Sequence, residues 1–202
     1  MAHAQARTHT RTRTPSADVT RSLLGAAGEL LERDGQDAIT VRAVAAKAGV
    51  APNGVYSRFG GKDGLLEALF VQGFQDLHAV INQARGSDAR SRLFLGCMAY
   101  RAFAVAHPNR YELMFRQMKE LELGPDALEQ AERAFAQLVG RVEDAQAAGA
   151  VRAGNPVEIA QLIWNALHGG VSLESIGVSF SADPEANFAA MIEALLVGLA
   201  RA

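Results

Sequence analysis

Cysteine occurs once, at Cys97, so no internal disulfide can form and a reducing, cytoplasmic setting is expected. No apolar run approaches the roughly 18 residues that a membrane helix needs, so no membrane partner is expected. The N-terminus carries arginines and threonines with no apolar stretch behind them, unlike a secretory leader. Five histidines (His3, His9, His78, His107 and His168) are scattered, no two of them four residues apart, and zinc-ligand spacing is missing. So are a Gly-rich phosphate loop and a Gly-x-Ser-x-Gly turn. With no nucleophile–base pair, carboxylate pair or metal cluster, nothing points to an enzyme, a metal or a cofactor. Proline is sparse, alanine is abundant, and no stretch alternates with period 2 over a useful length. An all-α fold follows.

What is present is a charge split. The 202 residues carry a net charge of −2, but Met1 to Lys62 holds 9 Lys+Arg against 5 Asp+Glu, and the remainder 11 against 17. A basic front on an acidic body suits contact with a polyanion, and equally a mildly basic solvated surface. Residues 1–17 lack periodicity and read as a disordered arm, whose Arg7, Arg11 and Arg13 either reach flanking phosphates or a minor groove or form an inert tail. Residues 18–64 read as one domain and 65–202 as a larger one.

Helical period begins at Val19, with Leu23, Ala27, Leu30 and Leu31 on one face and Gly35 as the stop. Thr40 suits the N-cap of a short second helix carrying Val44 and Ala45, ended by Gly49. Pro52 suits the first turn of a third, with Val55 and Phe59 apolar. A tight glycine turn between two short helices is what a helix-turn-helix needs for its second helix to enter the major groove. Val44, Ala45, Val55 and Phe59 can then join Leu23, Ala27 and Leu30 in a small core. The spacing alone also fits a packing hairpin in a helical interaction module. Further helices are expected from Lys62 to Ala84, Asp88 to Ala106, Pro108 to Phe115 and Asp126 to Ala148. Asn155-Pro156-Val157-Glu158 and Asp183-Pro184 mark the starts of the last two.

The run Ile39-Thr40-Val41-Arg42-Ala43-Val44-Ala45-Ala46-Lys47-Ala48-Gly49-Val50, with Gly54-Val55-Tyr56-Ser57-Arg58-Phe59 and Lys62-Asp63-Gly64-Leu65-Leu66, resembles the DNA-binding region of the tetracycline-repressor family over about residues 19 to 70. The resemblance implies a three-helix head, a helical ligand-binding domain and a homodimer on a palindromic operator in double-stranded DNA, released by a small-molecule inducer. It places Tyr56 and Lys62 on phosphates, roles that a hydroxyl and a lysine at a helix N-terminus suit, with Thr40 beside them. Pro52, Asn53, Gly54, Ser57 and Arg58 stay available outside the core for DNA, and Arg42, Asn53, Ser57 and Pro52 are the candidates for base edges, where arginine suits guanine and asparagine adenine. Ala51 departs from the family's usual capping serine or threonine. Ser57-Arg58 departs from its usual aromatic or basic pair, and Gly61 and Gly64 weaken the start of the fourth helix.

Ile163-Trp164-Asn165-Ala166-Leu167-His168-Gly169-Gly170, with Ala106 to Phe115 upstream, resembles a C-terminal subtype of the same family marked by Trp…His-Gly, over about residues 85 to 200. This implies a pocket among the middle helices, for which Met98, Arg101, Phe103, Met114, Phe115, Met118, Phe135, Leu138, Trp164 and His168 are candidate walls. Each also reads as plain core, His168 as a hydrogen-bonded structural histidine, and Arg101 as either a charged anchor or a solvated residue. Cys97 reads as a buried small hydrophobe. The last two helices are candidates for dimer pairing through Ile159, Ile163, Leu167 and Gly170 on one, and Phe188, Met191, Ile192, Leu195 and Leu199 on the other. Close approach of a neighbouring backbone would explain Gly169-Gly170.

Overall fold

Side-chain caps fix where several helices begin. Thr40 Oγ1 accepts from the Ala43 amide at 3.1 Å, Asp88 Oδ1 from Ser91 at 2.8 Å, Asn155 Oδ1 from Val157 at 3.0 Å and Asp183 Oδ1 from Ala186 at 3.0 Å. Each satisfies an amide that the first turn leaves without an intrahelical partner. A computed structural model describes residues 16–115, 121 and 123–200, and among them it has nine α-helices and no strand. These are α1 (Ser16–Asp34), α2 (Val41–Ala48), α3 (Asn53–Phe59), α4 (Lys62–Gln83), α5 (Ala89–Ala106), α6 (Pro108–Phe115), α7 (Pro125–Ala147), α8 (Pro156–Ser175) and α9 (Pro184–Gly198). The fold is all-α, as composition and periodicity imply. α1 starts two residues inside the expected arm, and Gln36–Ala38 adds a short 3-10 turn that the periodicity does not mark. Arg7, Arg11, Arg13 and Met118 lie outside the described residues.

Buried side chains form two clusters. One joins Leu23, Ala27, Leu30 and Leu31 of α1 to Val44 and Ala45 of α2, Val55 of α3 and Leu65, Leu66 and Leu69 of α4. The other begins at Phe70 of the same helix and runs through α5, α7, α8 and α9. The changeover falls within α4, so that helix is rooted in both. α6 is divided as well: Leu113 belongs to the first cluster, Tyr111 and Met114 to the second. Its polar residues tie down to α1 and α4. Arg110 Nε lies 3.0 Å from the Glu32 carboxylate and Nη1 2.6 Å from Asp76, while His107 Nδ1 meets Glu32 at 3.0 Å. Asn109 donates to the Glu32 carbonyl at 3.0 Å.

Gly64 reads from sequence as a weak start to α4, but its place is set by sterics. A Cβ there would stand 1.8 Å from the Phe59 carbonyl oxygen, so the α3–α4 turn closes only over glycine. Gly170 likewise has a neighbour within its own chain: a Cβ would meet the Phe188 ring at 2.9 Å.

Arg101 faces neither a ligand chamber nor solvent. It is 7% exposed, and Nε and Nη2 donate to the two Glu174 carboxylate oxygens at 2.9 and 2.7 Å. Nη1 lies 3.4 Å from Glu185, and the guanidinium sits 5.8 Å over the Phe188 ring. One α5 side chain thus clamps α8 and α9. Removing Glu174 leaves the buried guanidinium only the exposed Glu185 carboxylate at 3.4 Å, which costs more than replacing both members of the pair. Glu174→Ala should therefore lower the unfolding free energy in urea by about 3 kcal/mol, and the apolar pair Arg101→Met/Glu174→Met should recover most of it. A loss below about 1 kcal/mol for Glu174→Ala would show that the clamp does not hold the two helices.

Candidate nucleic-acid interface and ligand chamber

Gly49 ends α2 in the left-handed conformation (φ 68°, ψ 29°), and the Val50 amide closes the turn onto the Ala45 carbonyl at 3.0 Å. Val50 then packs half-buried against the first core. Two residues later α3 begins, held by buried Val55 and partly buried Phe59. Lys47 braces α2 against α1 through Glu29 at 2.7 Å. The remaining candidates lie outside this core. Thr40, Arg42, Pro52, Asn53, Tyr56 and Ser57 are exposed, Tyr56 by 57%, and Gly54, Arg58 and Lys62 are half-buried. Two of them are engaged within α3: Ser57 Oγ donates to the Gly54 carbonyl at 3.2 Å, and Arg58 Nη1 donates to the same oxygen at 3.3 Å and to Ser57 Oγ at 3.1 Å. No side chain caps α3, which fits alanine at position 51 and proline at 52. Lys62 opens α4, where unpaired amides and the helix dipole favour an anion.

In the larger half, a cleft of about 460 Å³ opens between α4, α6, α7 and α8, lined by Phe74, Tyr111, Phe115, Ala131, Glu132, Trp164, His168 and Ser172. Its aromatic rings pack on one another. Trp164 and His168 centroids are 4.7 Å apart, Phe115 and His168 4.7 Å, Phe74 and Phe115 5.2 Å, and Phe135 backs Trp164 at 5.5 Å. Behind them three polar groups form a closed set: Tyr111 Oη lies 2.7 Å from His168 Nδ1, and Tyr100 Oη lies 3.1 Å from both Tyr111 Oη and His168 Nδ1. Burial holds the His168 pKa down to about 4, so the ring is neutral near pH 7, while burial and the adjacent Tyr111 push that of Tyr100 well up. A second cavity shares Trp164 but measures only about 20 Å³, space for one water. Cys97 lines it, and burial pushes its thiol up to about 12, leaving it a small hydrophobe.

Of the expected pocket walls, Phe115, Trp164 and His168 line the cleft, Leu138 lines the small cavity, and Phe135 supports Trp164 from outside. Arg101 is held in the α8–α9 clamp and does not reach the cleft. Phe103 stacks on His107 at 5.1 Å, Met114 is buried beside Gly73, and Met98 packs on the core, so none of the three reaches the cleft. Periodicity missed Phe74, Tyr100, Tyr111, Glu132 and Ser172. Tyr100 carried a signal, since it falls on the stripe with Leu93 and Cys97, and a buried tyrosine hydroxyl needs a partner.

Most of the expected dimer residues face inward. Ile159, Ile163, Leu167, Phe188, Ile192 and Leu199 are all buried in their own chain and keep no surface for a second copy. Gly170, Met191 and Leu195 are half-buried at the margin. Exposed apolar side chains of this region lie elsewhere: Leu162, Leu173 and Ile176 along one side of α8 and just beyond it, Val157 at its start, Val178 and Phe180 in the following loop, and Val197 on α9. Ala190 and Ala194 share the exposed side of α9 with Val197. A helix that is apolar all round has two sides, and periodicity selected the one that packs inward.

The family model for bacterial regulatory proteins of the tetR family matches residues 23–69, ending at the last α4 residue of the first core, and that for the tetracyclin repressor-like C-terminal domain matches residues 93–195. An uncharacterized HTH-type transcriptional regulator of Mycobacterium tuberculosis is 30% identical over 183 residues, covering 89% of this chain and 81% of that protein. A protein of unknown function from Rhodococcus sp. RHA1 matches with a TM-score of 0.85 at 28% identity, over 96% of this chain and 100% of that one. The TetR family transcriptional regulator PfmR from Thermus thermophilus matches with a TM-score of 0.67 at 18% identity, over 89% of this chain and 99% of that one, a likeness of fold alone.

The neutral His168 makes stability pH-dependent in a defined direction. An unfolded chain takes up its proton near the ordinary value of 6.5, the folded chain only near 4, so stability is lost as pH falls through that window. The thermal midpoint should fall between pH 6.5 and 4.5, and less steeply in His168→Asn, which keeps an acceptor for Tyr111 but cannot titrate. Equal slopes in the two proteins would assign the effect to other groups.

Proposed function

This chain belongs to the tetracycline-repressor family of DNA-binding transcriptional regulators, and we propose that it is a ligand-responsive, homodimeric repressor of a palindromic operator. Membership makes it a transcription factor, not an enzyme. The observation that carries the proposal is the division of α3: Val55 and Phe59 are spent on the core, and Asn53, Tyr56 and Ser57 face outward. Arg42, Pro52, Asn53, Gly54, Ser57 and Arg58 meet the major groove, with Ser57 and Arg58 released from the Gly54 carbonyl to do so. Thr40, Tyr56 and Lys62 hold phosphates. Residues 16–69 act as the reading head, and the chain from Phe70 onward, apart from Leu113, acts as the ligand-binding and pairing domain.

One head reads few base pairs, so strong specificity calls for two at fixed spacing, about 34–36 Å for one helical turn. The exposed sides of α8 and α9 supply the pairing face. Leu162, Leu173 and Val197 give apolar area, while Ala166, Gly169, Ala190 and Ala194 let helices approach closely. A Cβ added at Gly169 would meet no described atom of another segment within 4 Å, so that side of α8 is open. A small, largely apolar inducer enters the cleft beside Trp164 and shifts α4 and α6, both of which are anchored in the head. A coupling of about 1–3 kcal/mol is enough to change operator affinity 5–150-fold.

Footprinting on DNA flanking the protein's own coding region should reveal a protected palindrome, with affinity falling steeply as salt rises. Asn53→Ala should cost about 1–3 kcal/mol on that site and little on random duplex, whereas Lys62→Ala should weaken both and reduce the salt slope by about 1. Leu173→Glu should give a monomer in sedimentation and lose the operator. Absence of any DNA binding at low salt, or a wild-type chain that sediments as a monomer, would end this reading.

A further inference from the structure

The charges around the cleft are one-sided. Its described lining contributes four aromatic side chains, Phe74, Tyr111, Phe115 and Trp164, one carboxylate, Glu132, and no lysine or arginine. Glu132 stands exposed on α7 at the rim and forms no ion pair with any described residue. The polar groups inside are neutral: the Tyr111 hydroxyl is committed to His168, and the imidazole carries no charge near pH 7. Beyond Lys62 the chain as a whole is acidic, with 17 Asp+Glu against 11 Lys+Arg. An anion entering here would meet the Glu132 carboxylate and electron-rich ring faces with no described cation to offset them. A neutral hydrocarbon would leave the carboxylate unused. A cation gains from both, since ring faces attract positive charge and Glu132 supplies the counter-ion.

We propose that the cleft binds an organic cation, an ammonium or phosphonium bearing aromatic or alkyl groups, with its charge toward Glu132 and its apolar body among Phe74, Phe115 and Trp164. This rests on the reading of the protein as ligand-responsive and adds the class of ligand. A volume of about 460 Å³ suits a molecule of a few rings.

Trp164 is the single tryptophan of the chain, so its fluorescence reports on the cleft directly. Titration of the full-length protein with tetraphenylphosphonium and with tetraphenylborate compares two ions of the same shape and opposite charge. The phosphonium should quench Trp164 saturably and bind at least about tenfold more tightly than the borate. Glu132→Gln should weaken the phosphonium by roughly tenfold, the scale of one such charge contact, and narrow the gap between the two ions. Glu143→Gln, an exposed change further along α7, should leave both affinities unchanged and so separates the cleft from the general acidity of the surface. Circular dichroism should confirm that both variants fold. Borate binding as tight as phosphonium, no saturable quenching by either ion, or indifference to Glu132→Gln with the fold intact would each overturn the proposal. Operator release is measured separately. Charge-selective binding that leaves operator affinity unchanged would keep the ligand class and remove the regulatory reading. Operator binding relieved by an anion would do the reverse.

Discussion

Glu32, near the end of α1, is where the two halves of the molecule are tied. Its carboxylate receives Arg110 and His107, its carbonyl receives Asn109, and all three donors sit on α6 or at its start. Arg110 also reaches Asp76 on α4, so one guanidinium bridges three helices. Beneath these polar contacts Leu113 is buried with the head and Tyr111 and Met114 with the body. The eight residues of α6 therefore satisfy two cores at once, and close packing on both sides leaves α6 little freedom to move independently of either.

This constraint gives the cleft its connection to the head. Tyr111 and Phe115 form part of the cleft wall, and Tyr111 is hydrogen-bonded to His168 on α8. The residues between them on the same helix include Leu113 of the head core. A rotation of α6 that breaks the Tyr111–His168 bond also displaces Leu113 and strains the Glu32 contacts. α4 runs alongside, its first turns in one cluster and its later ones in the other. The sequence points to α4 as the connecting element because it is long and continuous. Both α4 and α6 carry side chains into both cores and into the cleft, and α6 does so within eight residues.

What was legible in the sequence was whatever depends on neighbours along the chain. Caps at Thr40, Asn155 and Asp183, the Gly49 turn and the split of α3 between core and surface are local chemistry, and they stand where the residues imply. What depends on contacts between distant segments was not. Arg101 finds Glu174 across 73 residues, which no spacing rule anticipates, and so changes from a pocket or surface residue into a buried clamp. The inward side of α8 and α9 was mistaken for the pairing face because the more apolar side of a doubly covered helix is the natural choice for either role. Of the cleft, Phe115, Trp164 and His168 were found through a resemblance. The opposite wall needed the fold, as did the reason for Gly64, which lies in the path of the Phe59 carbonyl.

The separation of tasks on α2 and α3 bears on how such a protein can diversify. Val44, Ala45 and Val55 hold the head together, and Arg42, Asn53 and Ser57 contribute nothing to that core. Substitutions at the second set leave folding almost untouched, since exposed positions away from special features usually shift stability by about 0.5 kcal/mol or less. With the groove-facing roles proposed for these residues, a duplicated copy would drift toward a new recognition sequence one exposed residue at a time, without passing through an unfolded ancestor.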